Sequence, residues 1–290
     1  MQIFQYHLAQ AKVLRCLHPF FAAICIVLTS CTSAPQVVEL PYVEQLVVSA
    51  ILTAGDTVRN IHVMRSAPAS GKIEYAAQGL PDARVTLLLN GSPVVVRRQR
   101  TLPQVNTQGL SPEQRTFFEA PGVVIQSGQR YSITVEWSGK RISASTVIPS
   151  APDVVSYRIL DDLSFVPPRR TLQAVVRPAS NTAYSIIGET IITSNRPNSS
   201  LSNSLTESLP VVRNQVTNSD TLQIRTNLNF GFQQDTVRYF GRVVSYDPAY
   251  SLYLQSIQGV NPFARWNVQG DGVGIFVGAA LSERRAVAFP

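Results

Sequence analysis

Tyr131-Ser132-Ile133-Thr134-Val135-Glu136-Trp137, followed by Ser138-Gly139-Lys140 and then by residues 141–148, is the stretch whose reading decides the fold class. Apolar and polar residues alternate with period two through YSITVEW, the pattern of a strand with one buried face. Ser138-Gly139-Lys140 turns the chain, and Arg141 to Ile148 returns it, so the two runs read as paired strands. Upstream, Arg84 to Leu89 leads into Asn90-Gly91, a hairpin turn, and Val94 to Val96 follows it. Pro93 sits at a strand start, where its missing N–H is tolerated. Leu46 to Leu52 (LVVSAIL) is a short β-branched run, and Val58 to Met64 (VRNIHVM) reads as a half-buried strand. About seven short strands over roughly 110 residues predict an antiparallel, immunoglobulin-like β-sandwich.

Pro149 and Pro152 mark a boundary near 150. Beyond it, Asp153 to Leu160, Leu172 to Val176, Tyr184 to Thr193, Thr221 to Leu228 and Thr236 to Ser245 read as strands. Residues 194–220 are rich in Ser and Asn and carry Pro197 and Pro210, so they read mostly as a long exposed loop. Asp247-Pro248 predicts a helix start, an N-cap followed by proline at the first position. Tyr250, Tyr253, Leu254 and Ile257 then fall on one apolar face, with Gly259 as a stop. Val273 to Ala279 (VGIFVGA) reads as the final strand. The expected class is mainly all-β, with a sandwich over 46–150 and a second β-rich domain with one short helix over 151–290.

The amino terminus reads differently. Lys12 and Arg15 form a short basic region, and Phe20 to Leu28 (FFAAICIVL) is a nine-residue apolar run. Nine residues are too few for a span of about 20, but they fit the apolar core of a secretory signal. Leu28-Thr29-Ser30-Cys31 looks like a bacterial lipobox. In that motif the cysteine thiol receives a diacylglycerol, the signal (residues 1–30) is removed, and the new amino terminus is acylated, with palmitate or a similar chain. Cys31 is thus the one candidate site residue, a lipidation site, and residues 31–45 read as anchor and tether. Several acyl chains hold a protein at a membrane where a single one anchors only marginally. Thr32 is not the aspartate associated with inner-membrane retention, so the outer membrane is expected, in either leaflet.

The 290 residues are 44% hydrophobic and 15% charged, which suits a folded protein, and the formal charge is +7. Without Lys12 and Arg15 about +5 remains, too mild and scattered to imply nucleic acid. After cleavage His62 and Cys31 are the only histidine and cysteine, so disulfides, Cys/His metal sites and Cys–His nucleophiles lose their raw material. His62 reads as an ordinary strand histidine. Asp161-Asp162 and Asp271-Gly272 lack EF-hand spacing and read as turn formers. No G-x-S-x-G elbow is present. Glu119, Glu136, Asp235 and Asp247 could serve a two-carboxylate glycan hydrolase if two of them converge in a cleft. Gly270, Gly272 and Gly274 do not open a helix, so they read as close-packing or turn residues rather than a phosphate cradle. Arginine dominates the basic residues, with Arg97, Arg98 and Arg100 in one cluster and Arg169-Arg170 in another; these read as solvated strand edges or as contacts to acidic surfaces. No cofactor and no catalytic set is expected.

Several segments, in order, carry a family resemblance: Leu46-Val47-Val48-Ser49-Ala50, Val63-Met64-Arg65-Ser66, Pro81-Asp82-Ala83-Arg84-Val85, and Gly128-Gln129-Arg130-Tyr131-Ser132-Ile133. Ser143-Ala144-Ser145-Thr146 with Pro149, and the glycine-rich stretch from Asn267 to Phe276, complete the series. Over nearly all of residues 31–280 the chain resembles lipoproteins called domain of unknown function 4249, found mainly in Bacteroidota. The short Ala54-Gly55-Asp56 turn departs from the family pattern, and no acidic surface-export cluster follows Cys31. The resemblance implies an outer-membrane lipoprotein, often encoded near TonB-dependent transporters, and it implies no reaction. The expected function is therefore an accessory or binding component of such a transport system, with the membrane and the transporter as partners. The alternatives are the glycan hydrolase and a structural or adhesive envelope protein.

Overall fold

A computed structural model of the protein describes residues 42–67, 79–100, 116–162, 169–193, 202–207, 211–212, 221–228, 236–257 and 267–288. Residues Glu44–Pro290 form one compact unit; of the unit Met1–Val43 only the exposed Tyr42 and Val43 are described. Among the described residues the fold is all-β with one short helix. Its strands are β1 (Leu46–Thr53), β2 (Thr57–Arg65), β3 (Arg84–Leu89), β4 (Ser92–Val94), β5 (Arg97–Arg100), β6 (Thr116–Val124), β7 (Arg130–Trp137), β8 (Lys140–Val147) and β9 (Asp153–Asp162). Then come β10 (Arg169–Arg177), β11 (Ala183–Thr193), β12 (Ser202–Glu207), β13 (Val211–Val212), β14 (Leu222–Leu228) and β15 (Thr236–Tyr246). Helix α1 (Ala249–Ile257) and strands β16 (Val268–Gly270), β17 (Gly272–Leu281) and β18 (Arg285–Val287) close the described chain.

The strands form three sheets. The largest has the order β12-β11-β15-β17-β1-β2-β6-β5, with β13 and β18 attached to its flanks. A five-stranded sheet, β16-β8-β7-β3-β4, and a three-stranded sheet, β14-β10-β9, complete the set. The two predicted hairpins sit in the five-stranded sheet, with Leu89 opposite Ser92 and Trp137 opposite Lys140. Their turn residues Asn90-Gly91 and Ser138-Gly139 all take positive φ, the geometry that follows the strand twist.

Both small sheets lie on one face of the large one. On β17, the even-numbered Gly272 and Gly278 abut Ile142 and Ile148 of the five-stranded sheet and its exit. On β15, Gly241 faces the ring of Tyr157 and the side chain of Leu172 in the three-stranded sheet. Ser245 is opposite Ala280 in the β15–β17 ladder, so the two contact regions share a side. Leu46, Val48, Leu52, Ile61, Leu87, Tyr131, Ile133, Ile142 and Phe276 fill the first core. Ile159, Leu172, Tyr184, Ile186, Ile224, Tyr239 and Val243 fill the second.

The other face of the large sheet is partly covered by α1. Ala183, Val244, Tyr246 and Ala279 make a small third cluster there, against which Tyr250 packs. The rings of Tyr246 and Tyr250 are 4.4 Å apart. Over β1, β2, β6 and β5 that face carries mixed polar and apolar side chains such as Ser49, Ile51, His62, Phe117 and Glu119.

Four features differ from expectation. β1 and β17 pair in parallel, Leu46 with Gly272 through Thr53 with Ala279, inside a sheet expected to be antiparallel. β5 and β6 are additional strands, β6 shifting its register against β2 around Pro121-Gly122. The stretch read as a long loop contains β12 and β13, which pair with β11, Leu205 opposite Glu189 and Val211 opposite Tyr184. β18 follows the strand read as final, and pairs with β15 at Val287 opposite Tyr239.

Candidate functional site

β1 and β2 do not stay together along their length. Their ladder runs from Leu46 opposite Arg65 to Ser49 opposite His62 and then stops, although β1 continues to Thr53 and β2 reaches back to Thr57. The cause is Asn60, whose φ of +60° no regular strand residue adopts. On the other side of β2 the register slips between Val58 and Ile61. One extra residue is thereby looped out, as in a β-bulge. Val58 and Ile61 both face the core, while Arg59 and Asn60 in succession, and then His62, lie on the other side. The bulge thus brings Arg59 and His62 to one face at a spacing of three, which a period-two strand forbids.

Where the strands part, a concavity of about 490 Å³ opens. Ser49 and Thr53 line it from β1, Asp56 from the turn, and Arg59, Asn60 and His62 from β2. Its volume falls in the range of small-molecule sites, roughly 300–1,000 Å³. The turn is rigidly set: Gly55 N donates to Ile125 O and Ile125 N donates to Asp56 O, both at 2.8 Å, and Ala54 N donates to Ala279 O at 2.8 Å. The turn of residues 54–56 thus brings Asp56 to the rim of this site. Arg59 Nε donates to Thr57 Oγ1 at 2.9 Å, and among the described residues no carboxylate pairs with it. The His62 ring lies 6.4 Å from that of Phe117. Chemically this is a site of hydroxyls, one amide, one imidazole, one carboxylate and one arginine beside the apolar Ala50, Ile51 and Ile125, suited to reversible polar recognition.

The residues singled out from sequence are dispersed. Cys31 and its flanks lie outside the described residues, as do Asp235 and Gly259. Glu119 accepts from Gln99 Nε2 at 2.8 Å at the β5 edge. Glu136 lies between Arg84 and Arg141 at 3.9 and 3.8 Å. Asp247 accepts from Ala249 N at 3.0 Å, which confirms the helix cap, and from Thr146 Oγ1 at 2.7 Å. Each carboxylate thus has partners of its own on a separate element. Among the described residues no three His, Cys, Asp or Glu side chains converge on a common point.

Asp271 takes the turn role, accepting from Arg141 N at 3.0 Å. Asp161 pairs with Arg170 at 3.2 Å, and Arg170 Nη1 donates to Tyr239 Oη at 2.6 Å, joining the small sheet to the large one. Burial alone would depress the Arg170 guanidinium, but the bond to Tyr239 and the charge of Asp161 outweigh it and hold the arginine firmly protonated. Arg98 donates to Pro81 O at 2.9 Å, and Arg97 stands opposite Glu119. Gly272 and Gly274 are close-packing residues: a Cβ on either would overlap the carbonyl oxygen of Leu46 or of Val48.

Arg59 and Asn60 are not evident as site residues from alternation alone. The available signal is the spacing of apolar residues Val58, Ile61 and Val63, three and then two, which marks a bulge.

A family model for domain of unknown function 4249 matches residues 34–263, which is most of the chain, and the protein belongs to that family. No curated protein matches this sequence.

Proposed function

We propose that this protein is a lipid-anchored component of the outer membrane that binds a small polar ligand as the accessory of a TonB-dependent transporter. The observation that carries the anchor is the order of residues before the fold: Lys12 and Arg15, the apolar run Phe20 to Leu28, Thr29-Ser30, then Cys31. Residues 31–45 are then read as anchor and tether, carrying Pro35 and Pro41. The chain enters the fold at Glu44, whose carboxylate is met by Arg65 at 3.6 Å and Lys140 at 3.7 Å. That fixed entry lies at one end of β1, and the concavity lies towards the other, beside the 54–56 turn.

Metabolic labelling with an alkyne-tagged palmitate in the native host tests the anchor. Wild type is expected to carry label and fractionate with outer membrane, and Cys31→Ala to lose both. Unlabelled wild type, or membrane fractionation unchanged in Cys31→Ala, overturns the proposal. For the partner, crosslinking in intact cells followed by affinity purification is expected to recover a TonB-dependent transporter, and recovery of the protein alone counts against the accessory role.

A further inference from the structure

We propose that the concavity between β1 and β2 binds a small carboxylate that carries neighbouring hydroxyl groups, with Arg59 as the carboxylate anchor. This deepens the binding role above and rests on it only for its biological setting. The first support is the bulge. In an unbulged strand the spacing of three would send Arg59 and His62 to opposite faces of the sheet; the bulge at Asn60 returns them to one. A non-glycine residue held at positive φ stores strain, and strain persists where surrounding structure imposes it, often at binding sites. Here Ile125 and Ala279 fix the adjoining turn from outside.

The second support is the preparation of Arg59. Its Nε is occupied by Thr57 Oγ1, so the two terminal nitrogens form the end of the fork that remains to receive two oxygens. That edge matches a carboxylate in bidentate geometry, which a lysine could not supply. The third support is charge balance. Asp56 lines the same concavity, so its fixed charges cancel. A compact dianion would meet Asp56 as well as Arg59 and is disfavoured. A ligand with a carboxylate at one side and hydroxyls at the other meets both, because a carboxylate accepts hydroxyl protons. Ser49, Thr53 and Asn60 supply further donors and acceptors around it.

The full-length chain, solubilised in mild detergent, is titrated calorimetrically with D-glucuronate, D-glucose, acetate and inorganic phosphate. Glucuronate is expected to bind, glucose and acetate at least about tenfold more weakly, and phosphate more weakly than glucuronate. Arg59→Gln is expected to weaken glucuronate binding on the order of 10–100-fold, and Arg59→Lys to recover only part of it. Thr57→Val, which frees the Nε and lets the fork rotate, is expected to weaken binding about threefold with the hydroxyl-only contacts unchanged. Arg59 is exposed, so the unfolding midpoint of its variants should match wild type. The proposal falls if glucuronate does not bind, if glucose binds as well, if phosphate binds more tightly, or if Arg59→Gln binds like wild type. None of these results depends on Cys31 acylation or on a transporter, so they are separable from a failure of the anchor.

Discussion

Gly274 has φ +136°, and a side chain there would run into the carbonyl oxygen of Val48 across the parallel β1–β17 ladder. Backbone on both sides is fixed, so neither strand can give way. Gly274→Ala is expected to cost about 3 kcal/mol or more, read as a fall in the urea midpoint. Gly91, also at positive φ but with open space around it, is the control, and its alanine variant should cost about 1–2 kcal/mol from backbone strain alone. Asn60 offers the reverse experiment. Asn60→Gly should leave stability within about 1 kcal/mol of wild type, whereas Asn60→Val should lose about 1–3 kcal/mol, since a β-branched residue resists the left-handed region. At this scale the sequence is informative about Asn90-Gly91 and Ser138-Gly139, whose turn chemistry is local. It is silent about which glycine touches which carbonyl, because that depends on a strand more than two hundred residues away.

Two phenols, Tyr131 buried and Tyr157 half-buried, give the molecule an alkaline limit. Burial raises Tyr131, whose hydroxyl donates to Gln129 Oε1 at 2.9 Å. Burial also raises Tyr157, against the smaller opposing effects of Ser282 and nearby arginines. In each case the fold prefers the neutral phenol. Their contribution is therefore complete below the ordinary value near 10, and it is lost as the pH rises through the higher folded values. Thermal midpoints should fall steeply above about pH 10, and Tyr157→Phe should flatten that fall.

At the scale of the element, α1 shows how a cap can do more than start a helix. Asp247 accepts from Ala249 N with one carboxylate oxygen and from Thr146 Oγ1 with the other. Thr146 in turn accepts from Gly278 N at 2.8 Å, and Asp247 N donates to Gly278 O at 3.0 Å. The helix start, β8 and β17 are thus joined by one network around a buried hydroxyl. Asp247→Ala should cost about 2–3 kcal/mol, combining the lost cap with an unsatisfied buried donor, and Asp247→Asn should recover part of it in chemical denaturation. The cap and the helix are legible in sequence because Asp-Pro and the apolar spacing are local signals. β3, β7, β8 and β11 are legible for the same reason. β5 and β6 are not, because Pro121-Gly122 breaks the alternation and only edge pairing makes the arginine-rich segment a strand. β16 and β18, three residues each, are shorter than any period can show.

At the scale of the whole molecule, the strand order matters most. β17 lies beside β1 and then meets β15 at Ala279 to Leu281, so it joins the strands of both halves into one sheet. Past the end of β15 at Tyr246, Asn267 stands in for it, accepting from Phe276 N at 3.1 Å and donating back to Phe276 O. A chain ending at Pro149 would leave the open edge of β1 without β17 and the core without Phe276. It is expected to be largely unfolded by near-ultraviolet circular dichroism, and the intact chain to melt in one transition by calorimetry. The β content is legible from alternation, but the parallel pairing is not, since nothing in either strand names its distant partner.

That pairing also sets an order in time. Leu46 meets Gly272, so the first strand emerges from the ribosome long before its neighbour exists. Contacts so remote in sequence make collapse to the finished form slow. Until residues 272–281 are synthesised, the nascent polypeptide keeps one edge of its opening strand waiting.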